Sequence, residues 1–103
     1  MKNATITEAS KEIYVNAPKN ERTKLEPTKN NQIEYSYIDR VVSYVRASYA
    51  LDINPLGPLR LKGWKAEFTP AYKRSAGKSA LIELFQVAQV GDNYYSIEMS
   101  IEL

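Results

Sequence analysis

The longest regular pattern of apolar and polar positions runs from residue 32 to residue 52. At about 100° per residue, small and polar side chains share one narrow arc, and large apolar ones occupy the opposite side. The abundant β-branched and aromatic residues also suit a strand. A strand of about 20 residues without a turn is, however, far beyond the usual length. The segment therefore predicts a helix, with a capping box from Asn31 to Glu34 and an end at Asn54-Pro55.

Three later segments predict strands. Residues 59–69 alternate between apolar and polar, with a phase change at Gly63 that indicates a bulge. Residues 80–90 are apolar on both sides, which is typical of a central strand. Residues 94–103 alternate cleanly, and Gly91-Asp92-Asn93 predicts the hairpin turn before them.

Residues 1–32 differ from the rest of the chain. They are rich in Lys, Asn, Thr and Glu, with one short apolar cluster, Ile13-Tyr14-Val15. Leu25 is the single large apolar residue of positions 17–32. Its burial would be too small to offset the conformational entropy lost when this segment becomes ordered. We therefore expect an extended or flexible N-terminal arm with a short strand at 11–16. Either this arm is free, or it orders on a partner or a neighbouring subunit.

The predicted fold class is α+β. Residues 33–103 form a single domain, in which one long amphipathic helix packs on a curved antiparallel sheet of three to four strands. This outline is similar to that of cystatin-like and minimal NTF2-like folds, and the closing hairpin at 90–97 resembles theirs. The resemblance covers about the last two-thirds of the chain. It implies an architecture and leaves the function open.

The amino-acid composition excludes several kinds of catalytic and metal-binding site. The chain has 103 residues, the size of one domain, and contains neither Cys nor His. It therefore lacks thiolate nucleophiles, disulfides and the commonest general base and metal ligand. We expect no cofactor and no metal site. No apolar run approaches the roughly 18 residues of a membrane span, so we expect a cytoplasmic protein that does not bind membranes.

The chain carries no catalytic motif. Ala76-Gly77-Lys78-Ser79 resembles the end of a phosphate-binding loop, but Tyr72 stands where the motif needs a glycine. Glu98 and Glu102 share one face of the last strand at a separation of roughly 13 Å, too far for a catalytic pair. Glu83 is a candidate to approach Glu98 across the hairpin. A solvated sheet face is the more frequent arrangement for such carboxylates, and we assign no catalytic residue.

The strongest local charge lies between residues 60 and 78. Trp64, Ala66 and Phe68 are expected to point inward, which turns the neighbouring charges outward. Such a basic hairpin can contact phosphates or an acidic protein face, with a tyrosine to stack on a base. The alternative is that these charges only keep the sheet edge and loop soluble. The candidate binding residues for an anionic partner or nucleic acid are Arg60, Lys62, Lys65, Tyr72, Lys73, Arg74 and Lys78.

Three functions remain open. The first is a non-enzymatic interaction or assembly protein that binds protein partners or itself through its N-terminal arm and its Tyr-rich charged surfaces, given eight tyrosines. The second is a nucleic-acid-binding accessory protein that uses the basic hairpin. The third is a small-molecule pocket between helix and sheet, lined by Tyr and Trp64. Small size and an Asn/Lys/Tyr-rich composition also fit a viral or mobile-element accessory protein.

Overall fold

The computed structural model describes residues 2–51 and 63–103. Within them the fold is α+β, with one long helix and an open, mostly antiparallel sheet of five strands. The elements are β1 (Lys2–Ala9), α1 (Lys11–Asn16), β2 (Arg22–Leu25), α2 (Tyr35–Leu51), β3 (Lys65–Thr69), β4 (Leu81–Val90) and β5 (Asn93–Glu102). No helix in the described part of the chain is both long and apolar enough to cross a membrane.

Strand β4 lies at the centre of the sheet, as predicted. One of its edges pairs with β5 along the whole strand. Its other edge is divided between two strands, because β3 runs antiparallel to residues 81–85 and β2 runs parallel to residues 87–90. β1 pairs antiparallel with the outer edge of β5. The sheet exceeds the predicted three to four strands because the N-terminal region supplies two of them.

The predicted N-terminal arm is not confirmed. Residues 2–25 form β1, α1, a short 3₁₀ turn and β2, and the predicted strand at 11–16 is helix α1 instead. The Ser10 hydroxyl caps this helix by accepting a hydrogen bond from the Ile13 amide at 3.1 Å. The Arg22 guanidinium donates to the carbonyls of Tyr14 and Val15 at 3.2 and 2.9 Å. Strand pairing and these polar contacts order a segment that buries little apolar surface.

Helix α2 confirms the helical prediction, but its predicted start is wrong. It begins at Tyr35, and Asn31 lies outside it with a φ of 50°. The Asn31 carbonyl instead accepts a hydrogen bond from the Tyr95 hydroxyl at 2.8 Å. The predicted end at Asn54-Pro55 lies outside the described residues. The capping box fails because the Asn31 backbone contacts the sheet rather than starting the helix.

The core lies between α2 and one face of the sheet. The helix contributes Ile38, Val41, Val42 and Val45, and the sheet contributes Ile82, Leu84, Ala88, Ile97, Met99 and Ile101. Trp64 is buried here, with Ala66 and Phe68 packed against the cluster, which confirms their predicted inward direction.

The β4–β5 hairpin turns over Gly91 and Asp92, with Val90 paired to Asn93. Of the two turn residues only Gly91 has a positive φ, 59°. This is the pattern of a type II′ turn, whose twist matches that of the flanking strands. The hairpin prediction is confirmed, although Asn93 already belongs to β5.

One buried polar side chain joins the helix to the sheet. Gln86 is 0% exposed, and its Nε2 donates to the Gly63 carbonyl at 2.7 Å. Its Oε1 accepts a hydrogen bond from the Tyr37 hydroxyl at 2.6 Å, and the Tyr37 ring stacks on Trp64 at 6.2 Å between centroids. Gly63 has a φ of 88°, and a Cβ there would lie 3.2 Å from the Arg22 carbonyl oxygen. Gln86 therefore connects α2, β4 and the chain entering β3.

We expect Gln86→Ala to lower the free energy of unfolding by about 2–4 kcal/mol, because it leaves the Tyr37 hydroxyl and the Gly63 carbonyl without partners. Urea denaturation measures the change. Gln89→Ala is the matched control, since the Gln89 side chain bonds only the nearby Gly91 carbonyl at 3.0 Å. Equal losses in the two variants would contradict the role given to Gln86.

Tyr37 also predicts a pH dependence. Burial raises the pKa of the Tyr37 hydroxyl. The folded state therefore binds the Tyr37 proton more tightly than the unfolded chain does. The stability that comes from this difference is complete below the ordinary tyrosine pKa of about 10, and it is lost as the pH rises above that value.

Denaturation at pH values up to about 11 measures this slope. Tyr37→Phe should flatten the alkaline fall in stability relative to the parent protein. Tyr35→Phe is the matched control, because Tyr35 is 77% exposed. An unaltered slope in Tyr37→Phe would show that other groups cause the alkaline loss.

Candidate interaction surface on the open sheet face

The sheet face turned away from α2 is only partly covered. At one end α1 packs on it through Tyr14, whose ring centroid lies 5.3 Å from that of Tyr94. The Arg22 guanidinium lies 5.5 Å from the centre of the Tyr14 ring, and Val87 is buried at this end. The rest of the face carries no helix of the described chain.

The uncovered part is an open groove of about 640 Å³. Its charged side chains are Glu21, Lys65, Glu67, Glu83 and Glu98. We call this surface the acidic groove, since four carboxylates face one ammonium group. Phe85 contributes a half-buried ring to its floor, and Asn3, Thr5 and Ser100 add neutral polar groups.

Strand register explains why the carboxylates meet. Glu67 of β3 stands directly opposite Glu83 of β4. Phe85 stands between Lys65 on one side and Glu98 on the other. The two ion pairs found among the described residues, Lys2–Asp39 and Arg74–Glu102, involve none of these groups. Like charges directly opposite each other destabilise a sheet, so the fold tolerates this arrangement rather than gaining from it.

The sequence indicated the outward direction of Glu67 but not its partner. Alternation places Glu67 and Glu83 on outward positions, and only the β3–β4 register puts them opposite each other. Glu83 is opposite Ser100, and Glu98 is opposite Phe85, so Glu83 and Glu98 are diagonal neighbours. The acidic groove therefore depends on registers that the strand pattern leaves undefined.

The predicted basic residues are divided among different places. Arg60 and Lys62 lie outside the described residues. Lys65 lies in the acidic groove at the start of β3, whereas Lys73 follows the other end of that strand. Lys65 and the three charged residues of the loop, Lys73, Arg74 and Lys78, thus lie at opposite ends of β3 in the hairpin.

The β3–β4 connection carries the remaining members of the set. Tyr72 is 83% exposed, and Lys73 and Lys78 are also exposed. Arg74 is half-buried. Its guanidinium donates to the Ser79 carbonyl at 2.5 Å and lies 3.6 Å from the Glu102 carboxylate. Arg74 is thus engaged within the fold, while the other three face outward.

A smaller concavity of about 340 Å³ lies near the start of α2, between Leu25, Ile33, Tyr37, Arg40 and Val90. Trp64 does not line it, since the Tyr37 ring covers the indole within the core. Among residues 2–51 and 63–103, no cluster of three or more acidic side chains is arranged to hold a metal ion.

Comparison of the chain with protein-family models, curated proteins and solved structures gives no match. The resemblance to cystatin-like and NTF2-like folds is accordingly not confirmed beyond the shared α+β outline. The geometry of the acidic groove is therefore the main evidence for function.

The opposed carboxylates predict a stability gain on neutralisation. We expect Glu67→Gln and Glu83→Gln each to raise the free energy of unfolding by a few tenths of a kcal/mol, up to about 1. Because either change removes the same repulsion, the double variant should gain less than the sum of the single variants. Urea denaturation at low and high salt measures this, and the gains should shrink with added salt. Additive, salt-independent gains would contradict direct repulsion.

Proposed function

We propose that the protein is a non-enzymatic interaction or assembly protein that binds protein partners or copies of itself. The acidic groove takes a basic, extended segment of a protein partner. The observation that supports this most directly is a concave sheet face, left uncovered by residues 2–51 and 63–103, with four carboxylates, one lysine and an aromatic floor. The exposed tyrosines Tyr35, Tyr44 and Tyr72 supply further contact area outside the groove.

The chemistry of the acidic groove favours a peptide ligand. Carboxylates accept short, charge-assisted hydrogen bonds from Lys and Arg side chains. Phe85 offers a ring face for the apolar stem of such a side chain or for a cation. Asn3 and Ser100 can exchange hydrogen bonds with a peptide backbone. A phosphate backbone would be repelled by Glu67, Glu83 and Glu98.

The same groups are poorly suited to catalysis. Glu67, Glu83 and Glu98 are exposed, whereas carboxyl groups that serve as general acids are usually held in desolvated sites. The chain also has no His or Cys to act as base or nucleophile. A binding role for the acidic groove therefore needs fewer additional assumptions than an enzymatic one.

The nucleic-acid function keeps one specific observation in its favour. Tyr72 is exposed beside Lys73 on the β3–β4 connection, with Lys78 further along the same loop. Aromatic stacking with nearby ammonium groups is the usual means of holding single strands. Binding of this kind would weaken steeply with salt and depend on the loop rather than on the acidic groove.

A labelled peptide of alternating Lys and apolar residues tests the proposal by fluorescence anisotropy. We expect saturable binding that weakens with salt, and a Glu67→Lys/Glu83→Lys variant should weaken it at least about tenfold by reversing two groove charges. Glu12→Lys/Glu26→Lys is the matched control, because it makes the same charge change at exposed positions that do not line the acidic groove.

Three outcomes separate the functions. Equal losses in the groove variant and the control would show that net charge rather than the groove attracts the peptide. Absence of peptide binding at low salt would overturn the groove proposal. Binding of a labelled single-stranded oligonucleotide that is lost in Lys73→Glu/Lys78→Glu would replace it with the nucleic-acid function.

A further inference from the structure

Strand β1 is an edge strand with one open side. In the described part of the chain, β5 is its only strand neighbour. The β1–β5 pairing is continuous from Lys2 to Ala9, without a bulge. Every residue of β1 except Ile6 and Ala9 is exposed. The strand therefore offers eight residues of regular backbone along its outer side.

Hydrogen-bond alternation shows which backbone groups point outward. The Leu103 amide donates to the Ala80 carbonyl at 2.9 Å, and these residues continue the β4–β5 register. In an antiparallel pair the bonded residues recur at every second position. The odd-numbered residues of β5 therefore bond β4, and the even-numbered ones bond β1.

The same alternation carries over to β1. The even-numbered residues of β5 pair with Asn3, Thr5, Thr7 and Ala9. The amides and carbonyls of the intervening residues must then point away from β5, toward the open side. These residues are Lys2, Ala4, Ile6 and Glu8.

The two edges of the sheet are protected differently. The far edge ends in β2 and β3, of four and five residues, with Lys24, Lys65 and Glu67 among them. Short strands and charges are common ways of preventing unwanted pairing. β1 is longer, contains no proline, and is uncharged from Asn3 to Thr7. This combination is typical of an edge that receives another strand.

We propose that β1 pairs antiparallel with β1 of a second copy of this chain, and that the pairing is centred on Thr5. In this register Lys2, which also forms an ion pair with Asp39 of its own chain, stands opposite Glu8 of the second copy, and the two-fold axis repeats that contact. The proposal rests on the proposed function, because it names a second copy as one partner of an assembly protein.

Charge and backbone geometry select this register. Outward-bonding residues must face each other, which allows only registers that pair even positions with even positions. Centring on Thr5 pairs Ala4 with Ile6 and puts opposite charges together at both ends of the strand. Centring on Ile6 would instead pair Glu8 with Ala4 and Lys2 with Ser10, which lies beyond β1. Complementary cross-strand charges therefore favour the Thr5 centre.

The pairing would also join the two acidic grooves. Asn3 and Thr5 line the acidic groove and point to the sheet face opposite α2. In the dimer Thr5 faces Thr5 of the second copy, and Asn3 faces Thr7 of the second copy. A two-fold axis perpendicular to the sheet keeps both α2 helices on one face and both acidic grooves on the other.

The first test is molar mass by sedimentation equilibrium over a concentration series. We expect the mass of two chains at high concentration, falling toward one chain on dilution. Ala4→Pro should raise the dimer dissociation constant about 30-fold or more, because it removes an outward amide without touching the bonds to β5. Ala4→Ser retains that amide and is the matched control. Circular dichroism verifies that both variants keep the fold.

The second test reads the register by cross-linking. The chain has no Cys, so a single introduced thiol reports one position. Thr5→Cys should form a disulfide-linked dimer on mild oxidation, because Thr5 faces itself. Asn3→Cys and Thr7→Cys should cross-link poorly alone but efficiently when mixed, because these two positions face each other.

Monomeric mass at all concentrations, with no preference among the three thiols, would overturn the proposal. A dimer that is equally stable in Ala4→Pro would place the interface elsewhere and also overturn it. Peptide binding in the acidic groove is a separate measurement. A monomer that binds the basic peptide would reject the β1 dimer and retain the acidic groove as a binding site, whereas a dimer without peptide binding would retain the β1 pairing and reject the groove as a peptide site.

Discussion

The hydrogen bonds of Gln86 are the constraint on which the rest of the fold depends. Residue 86 falls between the two stretches of β4 that pair with β3 and with β2, at the point where the outer edge changes from an antiparallel to a parallel neighbour. At this point in the strand, the Gln86 side chain donates a hydrogen bond to the Gly63 carbonyl and accepts one from the Tyr37 hydroxyl of α2. A buried amide is costly unless fully paired, so the requirement to pair it fixes the positions of helix and strands together.

That constraint also determines which surfaces remain open. With α2 held on one face, the short helix α1 covers only the Tyr94 end of the other. The uncovered end collects Glu67, Glu83 and Glu98 because three strands meet there in one register. Repulsion among these groups opposes folding, and the helix–sheet core on the other face offsets it. A surface that is unfavourable for stability and remains exposed is typical of a site whose partner supplies the missing charge.

Sequence reasoning was most accurate where side-chain periodicity alone decides the structure. The spacing of apolar residues along the chain was enough to predict the apolar face of α2, the apolar strand β4, the alternating strand β5 and the inward direction of Trp64. It was least accurate in residues 2–25, where order comes from backbone pairing and from the Arg22 contacts to carbonyls, which leave no hydrophobic pattern. The acidic groove was missed for a related reason. Alternation indicates which face Glu67 occupies, but register decides its neighbour, and register depends on long-range pairing.

The pairing of β1 with β5 has a consequence for the order of folding. All the other elements lie between these two strands along the chain, so their contact closes the longest loop in the fold. The β4–β5 hairpin, by contrast, closes over two residues and can form locally. During synthesis β1 emerges long before its partner and has two open edges until β5 is complete. The nascent chain is therefore most exposed to mispairing through the strand that stays at the edge in the finished fold.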